Sequence, residues 1–136
     1  SLAIAGHLLD LVALGLGARG DVREAAQRRG LRAVRLQALL MILQKRFVEP
    51  DFSARKLAAV AGLSERYVHE LLYEAGASFH ERLLALRLRK AAEMLTQADP
   101  RRVSDVAFEC GFNDLSYFNR CFRRHFGLTP TAARGH

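Results

Sequence analysis

The sequence predicts an all-α fold, in which a long helix joins two helix-turn-helix subdomains and an amphipathic helix precedes them. No stretch of the 136 residues keeps the alternation of apolar and polar side chains that marks a half-buried strand. One pattern of short helix, glycine turn and second helix occurs twice. Between the two copies, apolar residues follow helical spacing at Leu84, Leu88, Ala91 and Leu95.

Residues 1–18 are predicted to form the amphipathic helix. Apolar side chains recur there at spacings of three and four from Leu2 to Leu16, which is the seam of a short coiled coil. Gly15, Gly17 and Gly20 should end this helix, because glycine is a poor helix former. A basic linker or short helix should follow over 19–35. The seam either pairs with a second copy, which would make a homodimer, or folds back on its own domain.

The remaining residues divide into a first helix-turn-helix subdomain at 36–77, a connecting helix at 78–98 and a second subdomain at 99–136. Helices should begin where a side-chain oxygen can accept a hydrogen bond from the first free backbone amides. These N-cap positions are Ser53, Ser64, Ser78, Ser104, Asp114 and Thr129. From Ser78 through Gln97, the connecting helix would span about 30 Å at 1.5 Å per residue.

The repeat defines the two turns. The first copy, from Leu57 to Glu65, is LAAVAGLSE, and the second, from Val106 to Asp114, is VAFECGFND. In each copy a small residue precedes the glycine, so that two helices can cross closely. The glycine itself supplies the positive φ of the turn. A short helix, a glycine turn and a second helix are the plan of a helix-turn-helix unit.

The second helix of each unit is predicted to have an inward apolar face and an outward polar face. Inward residues of the first unit are Val68, Leu71 and Leu72, and those of the second are Phe118, Cys121, Phe122 and Phe126. The outward residues are the predicted DNA-binding set: Ser64, Glu65, Arg66, His69, Glu70, Leu115, Ser116, Asn119, Arg120, Arg123 and Arg124. Arg and Asn suit bidentate contacts with guanine and adenine edges, and Glu accepts from a cytosine amine.

The charge of the chain agrees with a polyanionic partner. A formal net charge of +7 favours phosphate binding through counterion release, although an anionic membrane surface would be served equally well. The connecting helix offers four further phosphate-binding candidates: Arg82, Arg87, Arg89 and Lys90. With about 34 Å between successive major-groove positions on one DNA face, a helix of that length would hold both units over adjacent grooves.

Other site classes have little support in the sequence. The two cysteines, Cys110 and Cys121, form no CxxC pair, so neither a metal site nor a disulfide framework is expected. Gly15 to Gly20 fits a GxGxxG pattern, but no strand precedes it and no βαβ unit follows, so no dinucleotide cofactor is expected. No nucleophile–base pair or phosphate loop indicates an enzyme. We expect a protein without cofactor, metal or catalytic residues, located in the reducing cytoplasm and not in a membrane.

At these residues the chain resembles the DNA-binding region of the AraC/XylS family of bacterial transcription regulators. The resemblance covers roughly 36–134. It is most specific in the A-x-x-x-G-F turn from Ala107, the Y-F-x-R-x-F helix from Tyr117 and the F-G-x-T-P end from Phe126. It implies seven helices in two subdomains, promoter binding and contact with RNA polymerase. It also implies that the first recognition helix uses Arg66, His69 and Glu70, and the second Leu115, Ser116, Asn119 and Arg120.

The sequence departs from the family pattern in two places. The turn Ala75-Gly76-Ala77 is one residue shorter than usual, and Ala133 stands where an aromatic residue is common, which predicts a loosely packed last helix. The N-terminal helix resembles the end of an effector-binding and dimerisation domain, whose remainder is missing from this fragment. The alternative functions are a helical protein-interaction module and, third, an enzyme.

Overall fold

The computed structural model describes residues 16–97 and 101–135, and in these residues the structure is all-α, as predicted. The described residues form seven helices, numbered here in chain order: α1 Leu16–Arg46, α2 Ala54–Ala61, α3 Glu65–Glu74, α4 Phe79–Leu95, α5 Val103–Glu109, α6 Leu115–Phe126 and α7 Pro130–Arg134. The chain divides into two compact units, residues 1–37 and 38–136. No helix in the described ranges is long and apolar enough to cross a membrane.

The N-terminal unit is described from Leu16 onward, where α1 begins. The prediction that Gly17 and Gly20 end a helix was wrong, because α1 is a single helix of 31 residues that contains both glycines. A glycine inside a helix costs only about 1 kcal/mol relative to alanine. The neighbouring Ala, Arg, Gln and Leu residues are strong helix formers, so the helix continues through 19–35. The predicted apolar seam from Leu2 to Val12 lies outside the described residues.

The first helix-turn-helix unit forms as its capping residues predict. The Ser53 hydroxyl accepts a hydrogen bond from the Lys56 amide at 3.2 Å, and the Ser64 hydroxyl accepts one from the Tyr67 amide at 3.1 Å. Between α2 and α3, Gly62 has a φ of 71°. The predicted inward residues of α3, Val68, Leu71 and Leu72, are buried. Helix α2 packs against α3 and buries Ala54, Leu57 and Ala58.

The connecting helix α4 is shorter than predicted. Ser78 is its N-cap, but the helix ends at Leu95 and not at Gln97. Its 17 residues span about 25 Å at 1.5 Å per residue. At the C-terminal end, the Thr96 hydroxyl donates to the Glu93 carbonyl at 2.8 Å, so a side chain satisfies a carbonyl of the last turn.

The second helix-turn-helix unit has a larger apolar core. Phe118 and Phe122 of α6 are fully buried with Val106 of α5 and Cys110, the C-cap of α5, against Leu88, Ala91 and Leu95 of α4. Ala133 of α7 packs against the same core, so α7 is seated without the aromatic residue. Asp114 and Thr129 are N-caps, as predicted.

Two predictions for the second unit were wrong. Helix α5 begins at Val103 after Arg102, so Ser104 lies inside the helix and is not its cap. Val103 packs against the core, and this apolar contact favours the earlier start. Phe126, predicted to be core, is 36% exposed. It is the last residue of α6, and its ring lies 4.6 Å from the Phe122 ring and 4.7 Å from the His125 ring, measured between centroids.

Candidate nucleic-acid interface

Helix α6 presents one polar face to solvent. Its buried residues Phe118, Cys121 and Phe122 fix the rotation of the helix. The opposite face is formed by six of the predicted site residues, all exposed: Leu115, Ser116, Asn119, Arg120, Arg123 and Arg124. Asn119 and Arg120 lie in the middle of this face, whereas Arg123 and Arg124 lie in the last turn, where positive charge is favoured by the helix dipole.

Helix α3 presents the other predicted face. Ser64, Glu65, Arg66, His69 and Glu70 are all exposed. The Arg66 Nε lies 3.4 Å from Glu70 Oε1, and the His69 Nε2 lies 3.7 Å from Glu65 Oε1. Both pairs have the i,i+4 spacing that places side chains side by side on a helix. The polar groups of this face are therefore arranged in two pairs before any partner arrives.

The two faces differ in charge. Helix α3 contains Arg66 against Glu65, Glu70 and Glu74, which gives a formal charge of 1 − 3 = −2. Helix α6 contains Arg120, Arg123 and Arg124 and no carboxylate, which gives +3. Attraction to a polyanion is therefore concentrated on α6, while α3 offers both donors and acceptors.

Tyr117 and His80 belong to this surface, and sequence reasoning did not select them. The Arg120 guanidinium carbon lies 5.8 Å from the centre of the Tyr117 ring, a cation–π arrangement. The Tyr117 hydroxyl lies 3.4 Å from His80 Nε2 on α4. A hydrogen bond to Cys121, together with burial, raises the pKa of Tyr117. The i,i+3 spacing of Tyr117 and Arg120 was a usable signal, whereas the contact with His80 depends on tertiary packing.

Two of the predicted phosphate-binding arginines of α4 have backbone partners. Arg87 donates from Nε to the Phe47 carbonyl at 2.7 Å and from Nη2 to the Glu49 carbonyl at 2.8 Å. Arg82 donates to the Ala77 carbonyl at 2.8 Å and to the Leu72 carbonyl at 3.1 Å. The Phe47 and Ala77 carbonyls lie in loops, where backbone acceptors need partners. The Glu49 and Leu72 carbonyls also accept hydrogen bonds from the Phe52 and Ala75 amides. Arg89 and Lys90 stay predictions as phosphate contacts.

Comparison with known proteins places this geometry in a family. Residues 57–136 match the sequence pattern of a family described as "Helix-turn-helix domain". The structure resembles an AraC-type DNA-binding domain-containing transcriptional regulator from Chromobacterium violaceum, at 26% identity and a TM-score of 0.69, over 76% of this chain and 91% of that one. The chain belongs to the AraC/XylS family.

Curated AraC/XylS-type relatives are longer than this chain. The transcriptional activator RhrA of Rhizobium meliloti is 30% identical over 101 residues, which cover 74% of this chain and 32% of RhrA. The HTH-type transcriptional activator RhaS of an Enterobacter species is 37% identical over 101 residues, 74% of this chain and 36% of RhaS. The chain thus spans about a third of the length of these relatives.

One solved AraC/XylS-type relative contains nucleic acid. The DNA-binding domain of AdpA, a global transcriptional factor, was crystallised with a target DNA. It is 27% identical to this chain, with a TM-score of 0.66, over 74% of this chain and 89% of that one. The helical fold predicted from the sequence is therefore also the fold of the AdpA DNA-binding domain and of the Chromobacterium violaceum regulator.

Proposed function

We propose that this chain binds double-stranded DNA sequence-specifically to regulate transcription, with α3 and α6 as its two recognition helices. The observation that carries the proposal is the pair of exposed polar faces, each on the second helix of a helix-turn-helix unit of the AraC/XylS type. The crystallisation of AdpA with its target DNA supports the same partner. Sequence-specific readout requires side chains that can bond to base edges, and both faces carry residue types that suit such bonds.

Helix α6 provides the stronger contacts in this proposal. Asn119 and Arg120 read base edges, since Asn pairs with adenine and Arg with guanine in a bidentate manner. Leu115 and Ser116 lie at the helix N-terminus, where side chains of a recognition helix approach the bases. Arg123 and Arg124 are assigned to phosphates, because they lie at the far end of the helix and carry positive charge.

Helix α3 reads the second site in this proposal. Arg66 is assigned to guanine and Glu70 to a cytosine amine, so the ion pair between them would open or turn toward one G·C pair. Glu65 and His69 line the same face and form the second pair. Ser64 caps the helix through its oxygen, and its hydroxyl hydrogen is available to a phosphate near the helix N-terminus.

We also propose the wider assignments that the family membership suggests. These are a contact with RNA polymerase, a homodimer through the N-terminal helix, a missing effector-binding domain, a cytoplasmic location and a non-enzymatic role. The activator names of RhrA and RhaS support the polymerase contact, and their greater length supports a further domain. The proposed division is 1–18 for the end of that domain, 19–35 for the basic segment, and 36–77, 78–98 and 99–136 for the DNA-binding parts.

Selection of bound duplexes from a random DNA library tests the proposal. The expected result is a bipartite site with two different half-sites about 10 bp apart on one face of the duplex. Insertion of five base pairs between the half-sites should abolish tight binding, because it moves one half-site to the opposite face. If selected duplexes bind no better than random ones at every salt concentration, the proposal is wrong and a protein-interaction module becomes the better reading.

A further inference from the structure

We propose that Arg87 and Gly111 form a positioning pair that fixes the separation and angle of α3 and α6, and so determines the spacing between half-sites. The proposal rests on the proposed DNA-binding function. It concerns specificity for the spacing between half-sites. Neither recognition helix has this specificity alone, because the spacing depends on how the two helix-turn-helix units are held relative to each other.

Arg87 connects two parts of unit 38–136 that are distant in sequence. It lies in the middle of α4, and its guanidinium donates to the carbonyls of Phe47 and Glu49, 40 and 38 residues away. These carbonyls belong to the loop that ends at Ser53, the N-cap of α2. Burial lowers the pKa of Arg87, but an arginine stays charged at any ordinary pH. Two charge-assisted hydrogen bonds from one planar group fix orientation as well as distance.

Gly111, the turn glycine of the second unit, packs on this junction. Its φ is +104°, and a Cβ on its backbone would lie 2.7 Å from Arg87 Nε and 3.0 Å from the carbonyl oxygens of Phe47 and Val48. The turn that leads into α6 therefore rests directly on the guanidinium and the loop that leads into α2. Three segments meet at one point, and only a residue without a side chain fits there.

Gly62, the matching glycine of the first unit, shows that the turn does not require this crowding. It has the same repeat position and a positive φ of +71°, yet a Cβ there would meet no heavy atom within 4 Å. Both glycines serve the backbone conformation of their turns. Of these two glycines, only Gly111 also allows a close approach of other segments. The crowding therefore comes from the contact between the two helix-turn-helix units and not from the turn motif itself.

The first experiment measures spacing selectivity. Wild type, Arg87→Ala, Arg87→Lys and Gly111→Ala are titrated with the selected duplex and with versions that carry one or two base pairs more or fewer between the half-sites. Wild type should prefer the selected spacing by on the order of tenfold, comparable to one mismatched base pair. Each variant at the positioning pair should reduce that preference to about threefold or less, because the two units tilt more freely.

Two controls separate positioning from other roles. Gly62→Ala also places a side chain at a positive φ, but without crowding, and should keep the wild-type spacing preference. If Arg87 instead bound a phosphate, Arg87→Lys would retain affinity, Arg87→Ala would reduce the salt dependence, and spacing preference would not change; that result overturns the proposal. Folding of every variant is checked by its circular dichroism and thermal unfolding.

A measurement without DNA covers the case in which no operator is found. Spin labels on His69→Cys and Asn119→Cys, introduced into Cys110→Ala/Cys121→Ala protein so that only these two thiols react, report the distance between the two predicted recognition faces. Arg87→Lys should broaden the distance distribution, and Gly62→Ala should leave it unchanged. An unchanged distribution in folded Arg87→Lys overturns the positioning role whether or not the chain binds DNA. Failure of selection with a broadened distribution would instead contradict the proposed function alone.

Discussion

The guanidinium of Arg82 donates to the carbonyl oxygen of Leu72 at 3.1 Å, which joins the start of α4 to the end of α3. Its Nε donates to the Ala77 carbonyl at 2.8 Å, so a single side chain closes the turn between the two helices. Gly76 has a φ of 113° within this turn. Arg82 therefore holds the position of helix α3 from outside that helix.

Replacement of Arg82 should lower stability. Arg82→Ala removes two part-buried hydrogen bonds, each of which contributes about 0.5–1.5 kcal/mol net, so the free energy of unfolding should fall by about 1–3 kcal/mol. Urea denaturation measures the change. Arg89→Ala, at an exposed arginine of the same helix, is the control and should stay within about 0.5 kcal/mol of wild type. Unchanged stability with a reduced salt dependence of DNA binding would restore Arg82 as a phosphate contact.

Asn119 and Arg124 should differ in the kind of binding that each provides. Asn119→Ala should relax preference at one or two base pairs by about 1–3 kcal/mol, because a base-edge contact discriminates between sequences. Arg124→Ala should weaken binding to all duplexes and reduce the salt slope by about 1. Titrations on the selected site and on random duplex at several salt concentrations measure both. Equal losses on the two duplexes for Asn119→Ala would contradict its base-reading role.

Glu70 should influence base preference more than stability. An exposed i,i+4 pair contributes only about 0.3–0.5 kcal/mol, so Glu70→Gln should leave thermal unfolding almost unchanged. The amide no longer attracts Arg66 and can donate as well as accept, so the preferred bases of that half-site should change. Repeating the duplex selection with Glu70→Gln reveals the shift, and Glu74→Gln on the same helix is the control. An identical selected site would remove Glu70 from the readout.

Cys110 should make stability fall at alkaline pH. Its Sγ lies 3.6 Å from Met94 Sδ in the core, and burial raises the pKa of the thiol from 9.0 to about 11. Above pH 9 the unfolded chain loses this proton while the folded chain keeps it, so the free energy of unfolding should decline between about pH 9 and 11. Urea unfolding across this range measures the decline. It should be smaller in Cys110→Ala than in Cys121→Ala, and parallel curves for all three proteins would contradict the assignment.

Local chemistry explains which features could be predicted from the sequence. The caps Ser53, Ser64 and Asp114 and the turn glycine Gly111 act on neighbouring residues, so their effect is visible in the sequence itself. The exposed faces follow from helical periodicity once those ends are set. The sequence also located both predicted recognition faces on exposed surface, although their contact with DNA stays a prediction.

Features that depend on distant residues could not be predicted in the same way. Arg87 looks like any other cation of an amphipathic helix, and its partners lie 40 and 38 residues away. The continuity of α1 through Gly17 and Gly20 reflects a balance among many weak propensities, in which two glycines lose to their neighbours. Phe126 has the helical spacing of a core residue relative to Phe122, yet it is 36% exposed at the end of α6.

The opposite charges of α3 and α6 have a consequence for the order of binding. A charged surface accelerates encounter with a polyanion, and this steering weakens as salt increases. With +3 on α6 and −2 on α3, the second unit should arrive first and hold the duplex while the first unit samples its half-site. The association rate would then depend on salt mainly through the charges of α6. The dissociation rate would depend on the base contacts of both α3 and α6.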